Sequence, residues 1–386
     1  MSSSLFEFSI QDLATRIGRK WSRFSANVIP MWIADSDFAV APEIKEAAIN
    51  AIQHEDLHYS EERELLEMLA AKVDAVNGIP ITSSGVYLTQ GVIPAMWLAC
   101  RYACNSGDEV VVTNPMYFPF FRTIESLNLK KVFWPLYSHN GFQFNIDALQ
   151  EMISPKTKLL FLCNPHNPTG RVMTKSELYA IMDLALDNDL IVASDELWED
   201  IVYPGHVHTS IASLHPDGSH NTVTFFGFSK AYNISGLQIG YIATTNETML
   251  ADMKQMAQGI LRGTSTIAQA VAKTILSGKV DYYLTRELEH LCLVRDYVNR
   301  QFQELGDIHC NTIEGTYLVF PDLSAYGMSS SDLVNYLVKR ARVGVSAGSQ
   351  FGTLGEGHIR MNIGTSLPVL QEALSRITQA LQKLSC

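Results

Sequence analysis

Short apolar runs separated by amphipathic stretches of helical period recur through the middle of this 386-residue chain, and no other feature narrows its fold as much. The runs Val86–Leu88, Glu109–Thr113, Leu159–Cys163, Leu190–Ser194, Val223–Phe228 and Gln238–Ala243 read as buried strands. Thr174 and Glu177 make a capping-box pattern that opens a helix over Ser176–Asp187, whose Leu178, Ile181, Met182, Ala185 and Leu186 share one face. Alternation of this kind over about 150 residues predicts an α/β fold, a mostly parallel sheet with helices on both faces. Ligands of such sheets bind at the carboxyl ends of the strands, so residues that follow strands carry the functional information.

The last third reads differently. It predicts a long helix over Asp281–Leu305, a strand near Thr316–Pro321, a helix near Ser331–Arg342, a Gly-rich stretch Val343–Gly357, a strand at His358–Ile363 and a helix from Leu367. The first 45 residues have no place in the central alternation. The expected organisation is a large domain over 46–285 and a smaller, discontinuous α+β domain made of 1–45 and 286–386.

Composition removes other classes. Hydrophobic residues make up 47% and charged residues 18%, a globular balance. Lys and Arg number 29 against 40 Asp and Glu, a net charge of −11, which argues against nucleic acid and against an anionic membrane surface. The opening stretch has no apolar core followed by small residues, and Gly78, Pro80, Gly85, Gly91 and Pro94 break the uncharged run Ala75–Cys100. Neither reads as a secretory signal or a membrane helix. The six cysteines are scattered, as in a reduced cytoplasmic protein, and Cys100 and Cys104 read as buried small residues since no second pair completes a zinc set. His206 and His208, without Cys or acidic company in the sequence, read as solvent contacts.

Five segments could carry chemistry, each following a strand or lying within one. Lys230, just after Val223–Phe228, either caps the sheet at the surface or is a desolvated amine that forms an imine with an aldehyde cofactor. Asp195 ends a strand and either caps the next helix or is a buried carboxylate facing a cation such as a pyridinium nitrogen. The Asn164-Pro165-His166-Asn167-Pro168-Thr169-Gly170 turn is tight and non-helical, and could hold the Asn167 amide rigidly toward a phenolate oxygen. Gly91-Val92-Ile93 turns from a strand into a helix N-terminus, whose free N–H groups suit a phosphate. Arg360 sits within the apolar strand His358–Ile363, where its guanidinium calls for an anion such as a substrate carboxylate.

Taken in this order, the segments resemble the fold-type I pyridoxal-5′-phosphate (PLP) enzymes of the class I/II aminotransferase group. Arg19-Lys20-Trp21, the stretch Met31 to Phe38, Ala41-Pro42 and Asn114-Pro115-Met116-Tyr117-Phe118-Pro119-Phe120 are similar to the MalY/PatB branch of C–S β-lyases. The resemblance implies that Lys230 forms the internal aldimine and moves the substrate Cα proton, that Asp195 pairs with the pyridine nitrogen, and that Tyr117 stacks on the ring. It gives Asn167 to the phenolic oxygen, Gly91, Val92, Ile93 and Ser229 to the phosphate, and Trp198 to the cofactor surroundings. Arg360, Ala34 and Asn167 fall to the amino-acid substrate. Tyr59 reaches the phosphate from a partner subunit, which implies a homodimer with active sites at its interface.

The chain departs from the family pattern at several positions. Trp198 stands where Tyr or His is usual, Gly227 where a hydroxyl is common, and Gln238 where many aminotransferases place Arg. His58 precedes Tyr59 in place of Gly, and Asn77-Gly78-Ile79 occupies the region of a Gly-Trp pair typical of the lyases. Three activities share the named residues: a cystathionine β-lyase-like elimination giving pyruvate and ammonia, an amino transfer to a 2-oxo acid, and a β- or γ-eliminating cyclisation of a hydroxylated arginine-like amino acid.

Overall fold

The computed structural model describes residues 5–261 and 263–384. Seven strands form the central sheet: β1 Val86–Thr89, β2 Glu109–Asn114, β3 Lys130–Pro135, β4 Thr157–Cys163, β5 Ile191–Asp195, β6 Thr222–Gly227 and β7 Gly240–Ala243. Their order across the sheet is β1-β7-β6-β5-β4-β2-β3. Six run in one direction, and β7 alone runs against its neighbours β1 and β6. The amino end of β7 therefore lies at the same sheet edge as the carboxyl ends of the other six.

The central strands are mostly apolar and buried because helices cover both faces. Val110, Val112, Leu159, Phe161, Ala193, Val223 and Phe225 pack in one cluster with Met96, Ala99 and Phe120, while Val111, Leu160, Leu162 and Val192 pack with Leu178, Ile181 and Met182 on the other side. Burial of each large aliphatic or aromatic side chain here is worth about 1.5–3 kcal/mol. The helix opened by Thr174 runs Lys175–Asp187, with the reciprocal Thr174 and Glu177 bonds in place.

The strand β3 escapes sequence reading for a physical reason. It is the sheet edge, most of it is not buried, and it begins with Lys130 and Lys131, charges that discourage further pairing. Three boundaries also shift. The run Gln238–Ala243 pairs only from Gly240, because Gln238 takes a left-handed conformation at φ 50°. The Thr316–Pro321 strand contracts to Leu318–Val319, since Thr316 is also left-handed at φ 66°. The expected helix near Ser331–Arg342 is α-helical over Ser330–Tyr336, widens to a π turn over Leu337–Ala341, and ends at left-handed Arg342.

The helix Asp281–Leu305 turns Tyr283, Glu287, Leu291, Val294, Val298 and Phe302 inward. A three-stranded antiparallel sheet places Ile359–Asn362 between Ser346–Ala347 and Leu318–Val319. The N-terminal stretch joins this part of the chain: Ile29–Pro30 pairs in parallel with Val343–Gly344, and the Met31 N–H donates to Gly344 O at 2.7 Å. No helix among the described residues is long and apolar enough to cross a membrane.

Candidate active site

The carboxyl ends of β1, β2, β4, β5 and β6, with the amino end of β7, surround a cavity of about 200 Å³. Ala34, Gly91, Val92, Ile93, Tyr117, Asn167, Asp195, Trp198, Ser229 and Lys230 all line it. Five strand-end turns and the N-terminal segment thus deliver ten of the twelve residues named from sequence to one hollow. The remaining two lie elsewhere. Arg360 is buried directly behind Asn167, and Tyr59 is 100% exposed on the loop between helices Pro42–Gln53 and Arg63–Asn77.

At one end, Gly91 takes φ 85°, a conformation that favours glycine, and swings the chain from β1 into the helix Val92–Ala103. No side chain caps that helix, so its first N–H groups and the positive end of its dipole remain for an anion. Gly240 presses on this turn so closely that a Cβ would meet the Gly91 carbonyl carbon at 2.9 Å. Gly227 is likewise enclosed: a Cβ there would stand 3.0 Å from Leu197 Cδ1 and 3.1 Å from Ile239 O, so a hydroxyl side chain would have to push these neighbours aside.

Asp195 ends β5 and is almost fully buried. The Leu197 N–H donates to its Oδ1 at 3.1 Å, and its second oxygen has no partner among the described residues. Burial, aided by the neighbouring Glu196 charge, pushes its carboxyl up to about 7. Asn167 sits in the turn after β4, where Gly170, at φ 72°, admits Ile313 so closely that a Cβ would lie 2.4 Å from its Cγ2. Arg360 Nη1 donates to Asn167 Oδ1 at 3.1 Å, which points the amide NH₂ away from the guanidinium, and that NH₂ has no partner among the described residues.

Lys230 Nζ donates to the Ala34 carbonyl at 2.7 Å and lies 5.8 Å from the centre of the Trp198 ring. Burial lowers its pKa; Asp35 and Asp195 oppose that and Arg360 adds to it. A lysine so placed is biased toward the neutral, nucleophilic amine. Trp198 packs edge-on against Tyr317 at 4.7 Å, so it forms a wall of the site. Arg360 also donates from Nη2 to Trp32 O at 3.0 Å, and its buried Nε has no acceptor among the described residues. Burial lowers its pKa to about 10.

The N-terminal segment reaches the site because it is clamped. Lys20 Nζ and Trp21 Nε1 donate to the two oxygens of buried Asp37 at 2.8 and 2.7 Å. Asn362 Nδ2 donates to Ile33 O and Asp35 O, both at 2.7 Å, and Ser235 Oγ donates to Asp35 Oδ1 at 2.8 Å. Ser235 also lines the cavity. His208 corrects its reading as a solvent contact. It is largely buried, its Nε2 lies 3.1 Å from Glu196 Oε2, and against the burial that would strip its proton Glu196 holds its pKa above the usual range. Its acidic company sits twelve positions away in sequence, at the end of another strand.

Residues 26–377 match the model of the family Aminotransferase class I and II. The chain is 30% identical to the aromatic-amino-acid aminotransferase 2 of Thermococcus litoralis, over 92% of each chain. It is also 30% identical to the cystathionine beta-lyase PatB of Bacillus subtilis, over 92% of this chain and 93% of that one. Among solved structures, cystalysin from Treponema denticola, which contains a pyridoxal 5′-phosphate cofactor, superposes with a TM-score of 0.93 at 26% identity over 100% of both chains.

Proposed function

The chain belongs to the class I and II aminotransferase family of PLP-dependent enzymes, and from that premise we propose that it is a C–S β-lyase acting on an L-amino acid of the cystathionine type. The residues present fit the cofactor. An unpartnered amide at Asn167 suits its phenolic oxygen, and the proton-poised Asp195 suits its ring nitrogen. The uncapped helix start at Val92 and Ile93, beside Ser229, suits its phosphate, and the amine of Lys230 suits its aldehyde carbon. When bound, PLP supplies an electron sink for the charge left at the substrate Cα.

The protein's own residues do the rest. A cation opposite Asp195 draws that carboxyl into its ionised form, so Asp195 keeps the ring nitrogen protonated. Arg360, with a buried donor to spare at Nε, holds the substrate α-carboxylate. Tyr117 and the helix start fix the plane of the bound group. Lys230 Nζ takes the Cα proton as general base. Lys230 then passes that proton to the departing Cβ thiolate, and water completes the release of pyruvate and ammonia.

The observation that carries elimination over amino transfer is the bond from Lys230 Nζ to Ala34 O. On this reading the carbonyl anchors the protonated amine, which passes its proton to the departing thiolate. Amino transfer needs the proton delivered onward to the cofactor carbon. The likeness to PatB, named a cystathionine beta-lyase, supports the same reading.

We also read the protein as a cytoplasmic homodimer. Tyr59 is free to reach a partner's site, and an apolar hollow of about 530 Å³ between Ile93, Trp97, Pro119, Ile260 and Leu261 offers a surface for a second copy. The five described cysteines are free thiols, as a reducing compartment keeps them.

The test is a product assay with PLP-loaded enzyme, L-cystathionine and no 2-oxo acid. Pyruvate, ammonia and homocysteine in many-fold excess over enzyme are expected, and none from Lys230→Ala. Amino transfer that proceeds only when a 2-oxo acid is added, with no pyruvate, would overturn the lyase reading and favour the aminotransferase one.

A further inference from the structure

Glu196 and His208 do not line the cavity, yet they connect two of its walls. Glu196 is wholly buried, immediately after Asp195. Its Oε1 accepts from Ser194 Oγ at 2.8 Å and from Ser210 Oγ at 3.1 Å, and its N–H donates to Phe225 O on β6 at 2.9 Å. Its Oε2 lies 3.1 Å from His208 Nε2. In the neutral tautomer with that nitrogen donating, His208 Nδ1 accepts from the Asn164 amide at 3.5 Å. Asn164 in turn donates its backbone N–H to Asp195 O at 2.9 Å, and its Oδ1 accepts from the Met173 N–H at 2.9 Å.

These contacts close a ring. It starts at the Asp195 backbone, passes through Asn164, His208 and Glu196, and returns to Asp195 through the peptide bond. Asn164 also begins the turn that ends at Gly170 and carries Asn167. The charges of Lys72, Glu199 and Asp200 also act on this imidazole, and Lys72 is itself bonded to Glu199.

We propose that Glu196 and His208 are positioning residues for the cofactor: their buried pair sets Asp195 and, through Asn164, the turn bearing Asn167, so one device aims both ring-contacting side chains. The proposal holds for elimination and amino transfer alike. A buried polar contact that only stabilises the fold would affect melting alone; a positioning pair also changes how the cofactor is held. Partners of this indirect kind commonly alter affinity or activity by 10- to 100-fold.

The experiment compares PLP-loaded wild type with Glu196→Gln, His208→Leu and His208→Gln. Three quantities are measured: the PLP dissociation constant, the pH midpoint of the bound cofactor's visible absorption band, and the melting temperature of the protein with and without PLP. Glu196→Gln and His208→Leu are expected to weaken PLP binding about tenfold or more and to move the midpoint. His208→Gln, which can still donate to Glu196 and accept from Asn164, restores most of both. An unchanged dissociation constant and midpoint alongside a lowered melting temperature would overturn the proposal. A readout without variants guards against failed folding: in the wild-type protein, the His208 imidazole nitrogen resonances move when PLP is added to the apoprotein. Resonances that stay still would overturn the proposal by themselves.

Discussion

The two sides of the active site are held in place by different means. The floor, with Asp195, Asn167, Lys230 and the Gly91 turn, grows from consecutive strand ends of one sheet, and each turn leaves the sheet within a few residues of a paired backbone. The roof joins Arg360, on the central strand of the three-stranded sheet, to Ala34, whose segment has no such continuity. Its Met31–Phe38 segment is fixed by side chains and single backbone bonds: Lys20 and Trp21 on Asp37, Asn362 on Ile33 and Asp35, Ser346 Oγ on Trp32 O at 2.6 Å. A floor built by a sheet keeps its backbone course when a side-chain contact is lost. A roof built by a few buried polar contacts depends on each of them.

Removing the floor's reactive group has the largest effect. Lys230→Ala deletes the general base and the amine that holds the cofactor aldehyde, so turnover falls by at least about 10⁴-fold. Its melting profile without cofactor stays near wild type, because the sheet is untouched. A variant that kept more than a hundredth of the activity would remove Lys230 from the chemistry.

The roof should fail next, and as structure. Asp37→Asn leaves the ammonium of Lys20, itself only 4% exposed, without its carboxylate partner. Losing one half of a buried pair costs about 3–5 kcal/mol. Urea unfolding of the apoprotein measures this, and Lys20→Met combined with Asp37→Asn recovers part of it. Equal losses from the single and double variants would show that the buried charge is not what matters.

The same division explains what could be read from the sequence. Lys230, Asp195, Asn167 and Gly91 were legible because strand, turn residue and reactive side chain lie within a few positions of each other. Arg360 was legible because a guanidinium in an apolar strand demands an anion. His208 was not, since Pro204, Gly205 and His206 around it look like an exposed loop and its burying partner Glu196 belongs to another segment. The clamp was half legible: Lys20, Trp21 and Asp37 stood out as a pattern, but only the fold brings them together. The opposed direction of β7 has no signature in its own residues.

Arg360 is where floor and roof touch, through Asn167 Oδ1 and Trp32 O. Arg360→Lys keeps a charge but loses the planar fork. A charge-assisted hydrogen bond is worth about 1.5–3 kcal/mol, so KM for the amino acid rises by roughly 10- to 100-fold with a smaller change in kcat. An unchanged KM would show that the substrate carboxylate binds elsewhere.

The smallest effect separates a functional buried acid from a structural one. Asp195 and Glu287 are both buried carboxyls whose pKa is raised mainly by burial. Asp195 faces the cavity, where a cation can restore its charge. Glu287 projects from the long helix into a core beside Tyr283, and neither of its oxygens has a partner among the described residues. Folding therefore tightens its hold on a proton. That contribution is fully present below the ordinary value near 4.5 and is lost as the pH rises through the higher folded value. Glu287→Gln replaces one neutral group by another of similar shape, so at pH 4 stability changes by no more than about 1 kcal/mol. As the pH rises, the wild type loses stability that the variant keeps, and the variant becomes the more stable of the two. Adding PLP shifts neither curve relative to the other, whereas the same comparison with Asp195→Asn depends on PLP throughout. If PLP removed the pH dependence at Glu287 as well, that acid would belong to the site and not to the core.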